Sequence, residues 1–229
     1  MKFLFAILLN AITLLSIAQA AQRKDYFPIW TFDQSNIRVH GISIGFLTDN
    51  VNQGKTLTNG LRLELLGLGF LSPIMPGSTV VNSEEDYDAA LARGINQKVN
   101  GINLCTTGTI GNCHINGLTV GGVGQSMLKV NGVSLSGLMN LVQKQNGLMI
   151  AMFNDAFFMN GAQMGFSNKA HFAKGLQVAA LNNYADDCKG LQVGLINKSI
   201  HLKGLQFGLW NVNQKRKLPI VNWCFNPNR

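Results

Sequence analysis

The sequence predicts an all-β fold, a β-solenoid-like stack of 14–15-residue repeats with one short helical insertion. Three observations lead there: glycines recur at a near-constant step, the residues around them fall into chemical columns, and apolar residues in each unit alternate with polar or small ones. Aligned on Gly101, Gly117, Gly132, Gly147, Gly161, Gly175, Gly190 and Gly204, the steps are 16, 15, 15, 14, 14, 15 and 14 residues. The clearest units are KGLQVAALNN, KGLQVGLINK and KGLQFGLWNV. Before the glycine stands Asn100, Asn116, Asn131, Asn146 or Asn160, and then Lys174, Lys189 or Lys203. One and three residues after it the chain is apolar, as at Leu191 and Val193. Four after it every residue is small, from Cys105 and Gly121 to Gly194 and Gly208. Seven after it asparagine recurs at Asn154, Asn168, Asn182, Asn197 and Asn211.

Each element follows from these columns. The apolar alternation has period two and predicts a strand whose apolar side faces a core. Asn-Gly and Lys-Gly predict turns, because glycine takes positive φ without a Cβ clash. A second apolar touch two residues before the glycine, at Val99, Ile115, Val130 and Leu202, predicts a shorter strand. A repeated asparagine is suited to bond the next coil and form a ladder.

The domain plan runs in five parts. Residues 1–20 read as a secretory signal peptide: Lys2 is a minimal basic region, residues 3–17 are apolar, and Ala18-Gln19-Ala20 is a small-x-small cleavage pattern. Cleavage there makes Ala21 the first mature residue and lowers the formal net charge from +8 to +7. Residues 21–70 hold N-terminal strands with early repeats around Gly41 and Gly60. Residues 71–99 read as an insertion: Pro73 and Pro76 mark a loop, and Ser83 followed by Asp86 caps a short helix over 84–93, stopped by Gly94. Residues 100–211 are the repeat array, and 212–229 a C-terminal tail or cap. The alternative architecture is an outer-membrane β-barrel with one strand and one turn per repeat. Against it, the alternation spans too few residues for a membrane strand, and antiparallel neighbours would not stack like columns.

The GLQxGLxN units at 176–182, 191–197 and 205–211, together with the closing KRKLPIVNW at 215–223, resemble exported bacterial surface repeat proteins, hypothetical proteins of the Bacteroidetes type. The resemblance implies an exported cell-envelope repeat protein and implies no reaction.

Candidate chemistry is sparse. Hydrophobic residues make up 46% and charged residues 13%, which excludes a disordered, highly charged chain. Cys105, Cys113, Cys188 and Cys224 permit two disulfides in an exported chain; Cys105–Cys113 with Cys188–Cys224 is the pairing expected here, and four buried free thiols the alternative. Their spacing fits no zinc site. His40, His114, His171 and His201 fall at different repeat phases and match no metal motif. Glu84, Glu85, Asp86 and Asp88 suit a helix N-terminus. No regular Thr-x-Thr array occurs, since the second residue after the glycine runs Thr119, Ser134, Met149, Gln163, Gln177, Gln192, Gln206. No catalytic, cofactor-binding or metal-binding residue is assigned.

Lys174, Lys189 and Lys203 are the polar feature of interest, a possible polyanion-binding edge one coil apart. The function expected is structural or adhesive, through the lysine edge or the small-residue column, at the periplasm, outer membrane or cell surface. Candidate partners are an anionic glycan, lipopolysaccharide or another envelope protein, with membrane association possible and nucleic acid not expected. The alternatives are a barrel acting as pore or anchor, and an enzyme acting on polysaccharide.

Overall fold

The computed structural model describes residues 23–46, 55–74 and 79–226. The segment expected to be a signal peptide, its expected cleavage site and Pro76 lie outside the described residues.

The chain winds into a β-solenoid of about eleven turns, not a barrel. The strands are β1 (Lys24–Tyr26), β2 (Ile29–Thr31), β3 (Ile37–Gly45), β4 (Thr56–Glu64), β5 (Gln97–Cys105), β6 (Ile110–Gly121), β7 (Gly124–Ser136), β8 (Met139–Ile150), β9 (Phe153–Val193), β10 (Ile196–Val212) and β11 (Lys217–Cys224). From β3 to β10 each strand pairs parallel with the next, while β11 returns antiparallel along β10. β9 is 41 residues long because pairing continues round the corners of successive coils.

The register is carried by the glycines. Gly41, Gly60, Gly101, Gly117, Gly132, Gly147 and Gly161 are Cα partners in sequence, as are Gly190 and Gly204. All ten repeat glycines have φ between +125° and +157°. A Cβ on Gly204 would lie 1.8 Å from the carbonyl oxygen of Gly190, and one on Gly175 2.1 Å from that of Gly161. This corner therefore needs glycine twice over, for its dihedral and for the approach of the coil beneath.

The direction in which the side chains point reverses the expectation. Apolar residues one and three after the glycine, including Leu191 and Val193, face outward and are nowhere fully buried. The column between them faces inward: Ser43, Arg62, Asn103, Thr119, Ser134, Met149, Gln163, Gln177, Gln192 and Gln206 are all essentially inaccessible. The expected second apolar touch is also internal, at Val99, Ile115, Val130 and Leu202. These join Met127, Val142, Met159, Cys188 and others in a continuous apolar column through the stack.

Buried amides are costly unless paired, and here they pair with their own copies. Gln177 Nε2 donates to Gln163 Oε1, Gln192 to Gln177 and Gln206 to Gln192, each at 2.8 Å. The second proton of each is directed at a backbone carbonyl near the next inward run, as from Gln206 to Val212 at 3.1 Å. A parallel ladder runs Asn154, Asn168, Asn183, Asn197, Asn211 at 2.8–3.0 Å. Asn183 takes the place expected for Asn182, since it is the residue paired with Asn197. The step between Gly175 and Gly190 is one residue longer than its neighbours. The small column after the strand makes room for this ladder: a Cβ on Gly208 would lie 2.6 Å from Asn197 Nδ2. That column is internal or half-buried, so it is not a docking face.

Between β4 and β5 the chain leaves the stack. A 3₁₀ turn spans Leu68–Leu71, and helix α1 spans Glu84–Ala92. Ser83 Oγ accepts the Asp86 N–H at 3.1 Å, and Gly94 follows with φ +87°. α1 lies on the side of the stack, with Tyr87 against Phe157 and Phe158 at ring-centroid distances of 5.8 and 5.1 Å.

All four cysteines are free and buried. The expected Cys105–Cys113 bridge is not formed, because the two sit at opposite ends of one ladder: Cys113 pairs with Gln97, and Cys105 with Gly121. Cys188 and Cys224 flank β10 on either side, as partners of Leu202 and Gly204. Two strand spacings, about 9.6 Å, exceed the reach of a disulfide. Burial pushes the Cys113 and Cys188 thiols up to about 12.

Candidate binding surface

In–out alternation breaks at three places in each regular coil: at the glycine, at adjacent outward residues such as Leu195–Ile196, and again at Ile200–His201. These corners divide the surface into runs. Between the glycine corner and the second corner the outward side chains are apolar. They include Leu148, Ile150, Leu176, Val178, Leu205 and Phe207. The second corner is a ridge of larger apolar groups, with Met152, Phe166, Leu195, Leu209 and Trp210 exposed and Leu209 the most open at 69%. In β11, Trp223 pairs with Leu205 and Val221 with Phe207, which extends the face by one strand. An outward apolar area of this extent is well beyond the scattered apolar residues normal on a protein surface.

On the other side of the glycine corner the surface is basic. In the early coils the column three residues before the glycine holds Lys98, His114, Lys129 and Lys144 as successive Cα partners. Burial, then Lys129 and Lys98, lower the His114 pKa. In the late coils the positive charge moves next to the glycine. Lys174, Lys189 and Lys203 are exposed, with Lys189 and Lys203 Cα partners and Gly175 stacked below Gly190. The expected lysine edge is therefore brought together, one coil per lysine. In the early coils the same position is an asparagine ladder, from Asn100 to Asn160 at 2.7–2.9 Å.

Several other charged residues are used locally. Lys169 pairs with Asp155 at 3.5 Å, and Lys198 lies over the Tyr184 ring at 5.6 Å. His171 Nδ1 is 2.6 Å from Asp186 Oδ2, and the Tyr184 hydroxyl donates to Asp186 Oδ1 at 2.7 Å. His201 faces Asp187 at 3.6 Å. His40 lies 3.4 Å from Asn59 Nδ2. Arg216 stacks on Trp223 at 4.2 Å and donates to its carbonyl oxygen. Glu84, Glu85 and Asp86 occupy the first turn of α1.

Near the N-terminal end the stack encloses an ion pair. Arg62 donates to Glu64 at 3.1 Å and to Asn103 at 2.7 Å, and its guanidinium lies 3.9 Å from the Phe32 ring centroid. Thr109 donates to Glu64 at 2.8 Å. Both charged side chains are sealed from solvent, so this network binds coil to coil rather than ligand to protein.

Sequence reasoning found the lysine edge and missed the apolar face, because it assigned those residues to the core. A usable signal was present. Gln163, Gln177, Gln192 and Gln206 repeat without variation, whereas the apolar columns drift among Leu, Val, Ile, Met, Phe and Ala. Identity is what a self-pairing amide ladder requires, and it marks the inward column.

Among the described residues, no three His, Cys, Asp or Glu side chains gather as metal ligands, and no helix is long and apolar enough to cross a membrane. Comparison with family models, curated proteins and solved structures returns no match to this chain.

Proposed function

We propose that this chain is an exported cell-envelope repeat protein with a structural or adhesive role, binding through its surface and catalysing no reaction. The observation that carries the reading is the inverted distribution of side chains. In the run after each glycine of the late coils amide ladders take the inward side, and the apolar residues of that run are displayed on a regular outer face beside a lysine edge. Displayed apolar area of this size is the usual mark of an interaction surface. The ladders supply rigidity, so the face is presented without an ordering cost on binding. The apolar segment at 3–17 and the small-x-small site at 18–20 support export.

The test is fractionation of the source cells with an immunoblot for the chain. The expected outcome is recovery in the envelope fraction of a form shortened to begin at Ala21, released by alkaline carbonate without detergent. Recovery in the cytosol with the N-terminal segment intact would overturn the reading.

A further inference from the structure

We infer that the apolar face and the lysine edge dock the stack flat on an anionic lipid bilayer. This names the partner for the envelope role proposed above and rests on that reading.

Charge complementarity selects the partner. Lys174, Lys189 and Lys203 are stacked at the strand spacing, about 4.8 Å. Like charges so close repel one another, and an opposing anionic layer relieves that repulsion. Asp187 lies beside Lys174 and Lys189 and also faces His201, but three lysines outnumber that one carboxylate and leave the edge net positive, while Asp186 is turned to His171 and Tyr184. A second copy presents the same net positive edge, so two such edges repel rather than pair. The apolar ridge argues for lipid over a polar polyanion: Leu195, Leu209 and Trp210 gain nothing from a glycan sulfate or carboxylate, but are suited to the boundary between headgroups and acyl chains. Trp210 and Trp223, both exposed, lie at the same end of the stack, and tryptophan favours that boundary. Lysine stems are long enough to lie along the apolar surface while their ammonium groups reach the headgroup phosphates. The outward apolar run ends at the lysine edge on one side and at the Leu195, Leu209 and Trp210 ridge on the other, so a bilayer lying along that run meets both.

The test is co-sedimentation of the chain from Ala21 onward, which holds every described residue, with phosphatidylcholine vesicles containing or lacking phosphatidylglycerol. Binding is expected only to the anionic vesicles and is expected to weaken as salt rises. The triple variant Lys174→Gln, Lys189→Gln, Lys203→Gln should bind about a hundredfold more weakly, from the contribution of each lysine near an anionic surface. Leu195→Asp with Leu209→Asp should abolish binding and leave the far-UV circular dichroism unchanged, because both side chains are already in water. Equal binding to both vesicle types would overturn the proposal. So would heparin retention without vesicle binding, which would assign the edge to glycans. Concentration-dependent dimers lost in the Leu195→Asp, Leu209→Asp variant would assign the face to a second copy. Any of these leaves envelope fractionation as it is, whereas cytosolic recovery would remove the envelope reading itself.

Discussion

The early coils, from β3 to β8, and the late coils of β9 and β10 follow the same path and are filled differently. In the late coils the inward position after the glycine is glutamine four times over, and three bonds join consecutive amides. In the early coils the same position holds Ser43, Arg62, Asn103, Thr119, Ser134 and Met149, and each finds its own partners. Ser43 meets Thr58, Thr119 donates to Gln125, and Ser134 donates to Gln145. The outer position beside the glycine shows the opposite trade, one coil later: asparagines bonded to one another up to Asn160 at the start of β9, then unbonded lysines. The glycine corner therefore sets the coil path, and ladder chemistry is free to move between inside and outside as long as every buried polar group is paired.

That contrast makes the two regions fail differently. The largest loss is expected from Arg62→Met. Nothing in the repeat replaces the guanidinium that faces Glu64, so breaking this buried pair should cost about 3–5 kcal/mol, read as a lower urea midpoint with unchanged slope. If stability is unaffected, the N-terminal network does not hold its coils together.

Gln192→Leu should come next, at about 2–4 kcal/mol, because it leaves the Gln177 carbonyl and a Gln206 amide proton without their ladder partners at once. Ser134→Ala, which breaks one bond to Gln145, should cost only about 1 kcal/mol in the same measurement. Equal losses would mean that the glutamines act as separate bonds and that the regularity of the late coils has no energetic meaning.

The smallest effect is a pH dependence contributed by the early coils through His114. The His114 pKa is lowered below its ordinary value by burial and by Lys129 and Lys98. The folded chain therefore binds fewer protons than the unfolded chain between that lowered value and the ordinary pKa of about 6.5. The His114 contribution is complete above this window and declines as pH falls through it. Urea midpoints measured on both sides of the window should fall at the acid end, and His114→Asn should flatten the difference. A variant that keeps the wild-type slope would place the acid sensitivity elsewhere.

Much of the architecture was legible because a stack repeats its own register. The glycine step, the turn before it, the inward touch at Val99 and Leu202 and the helix cap at Ser83 each follow from local rules that the fold obeys. The site was half legible. A lysine every coil implies a stripe once coils stack. The apolar face was hidden because period two identifies two sides of a strand and is silent on which one meets the core.

From the sequence alone came an all-β stack, its period and the column of like charges, since all three depend only on spacing along the chain. The tertiary structure decided what faces inward, which asparagine joins the ladder and that the expected cysteine pairs stand apart. The physical reason is the narrow interior: a side chain there meets its own copy about 4.8 Å away, and an amide that bonds its copy fills that space with its polar atoms paired, except at the ladder ends, Gln206 Oε1 and Asn154 Oδ1. The leucine, valine and phenylalanine residues one and three after the glycine are thereby displaced to the outer face.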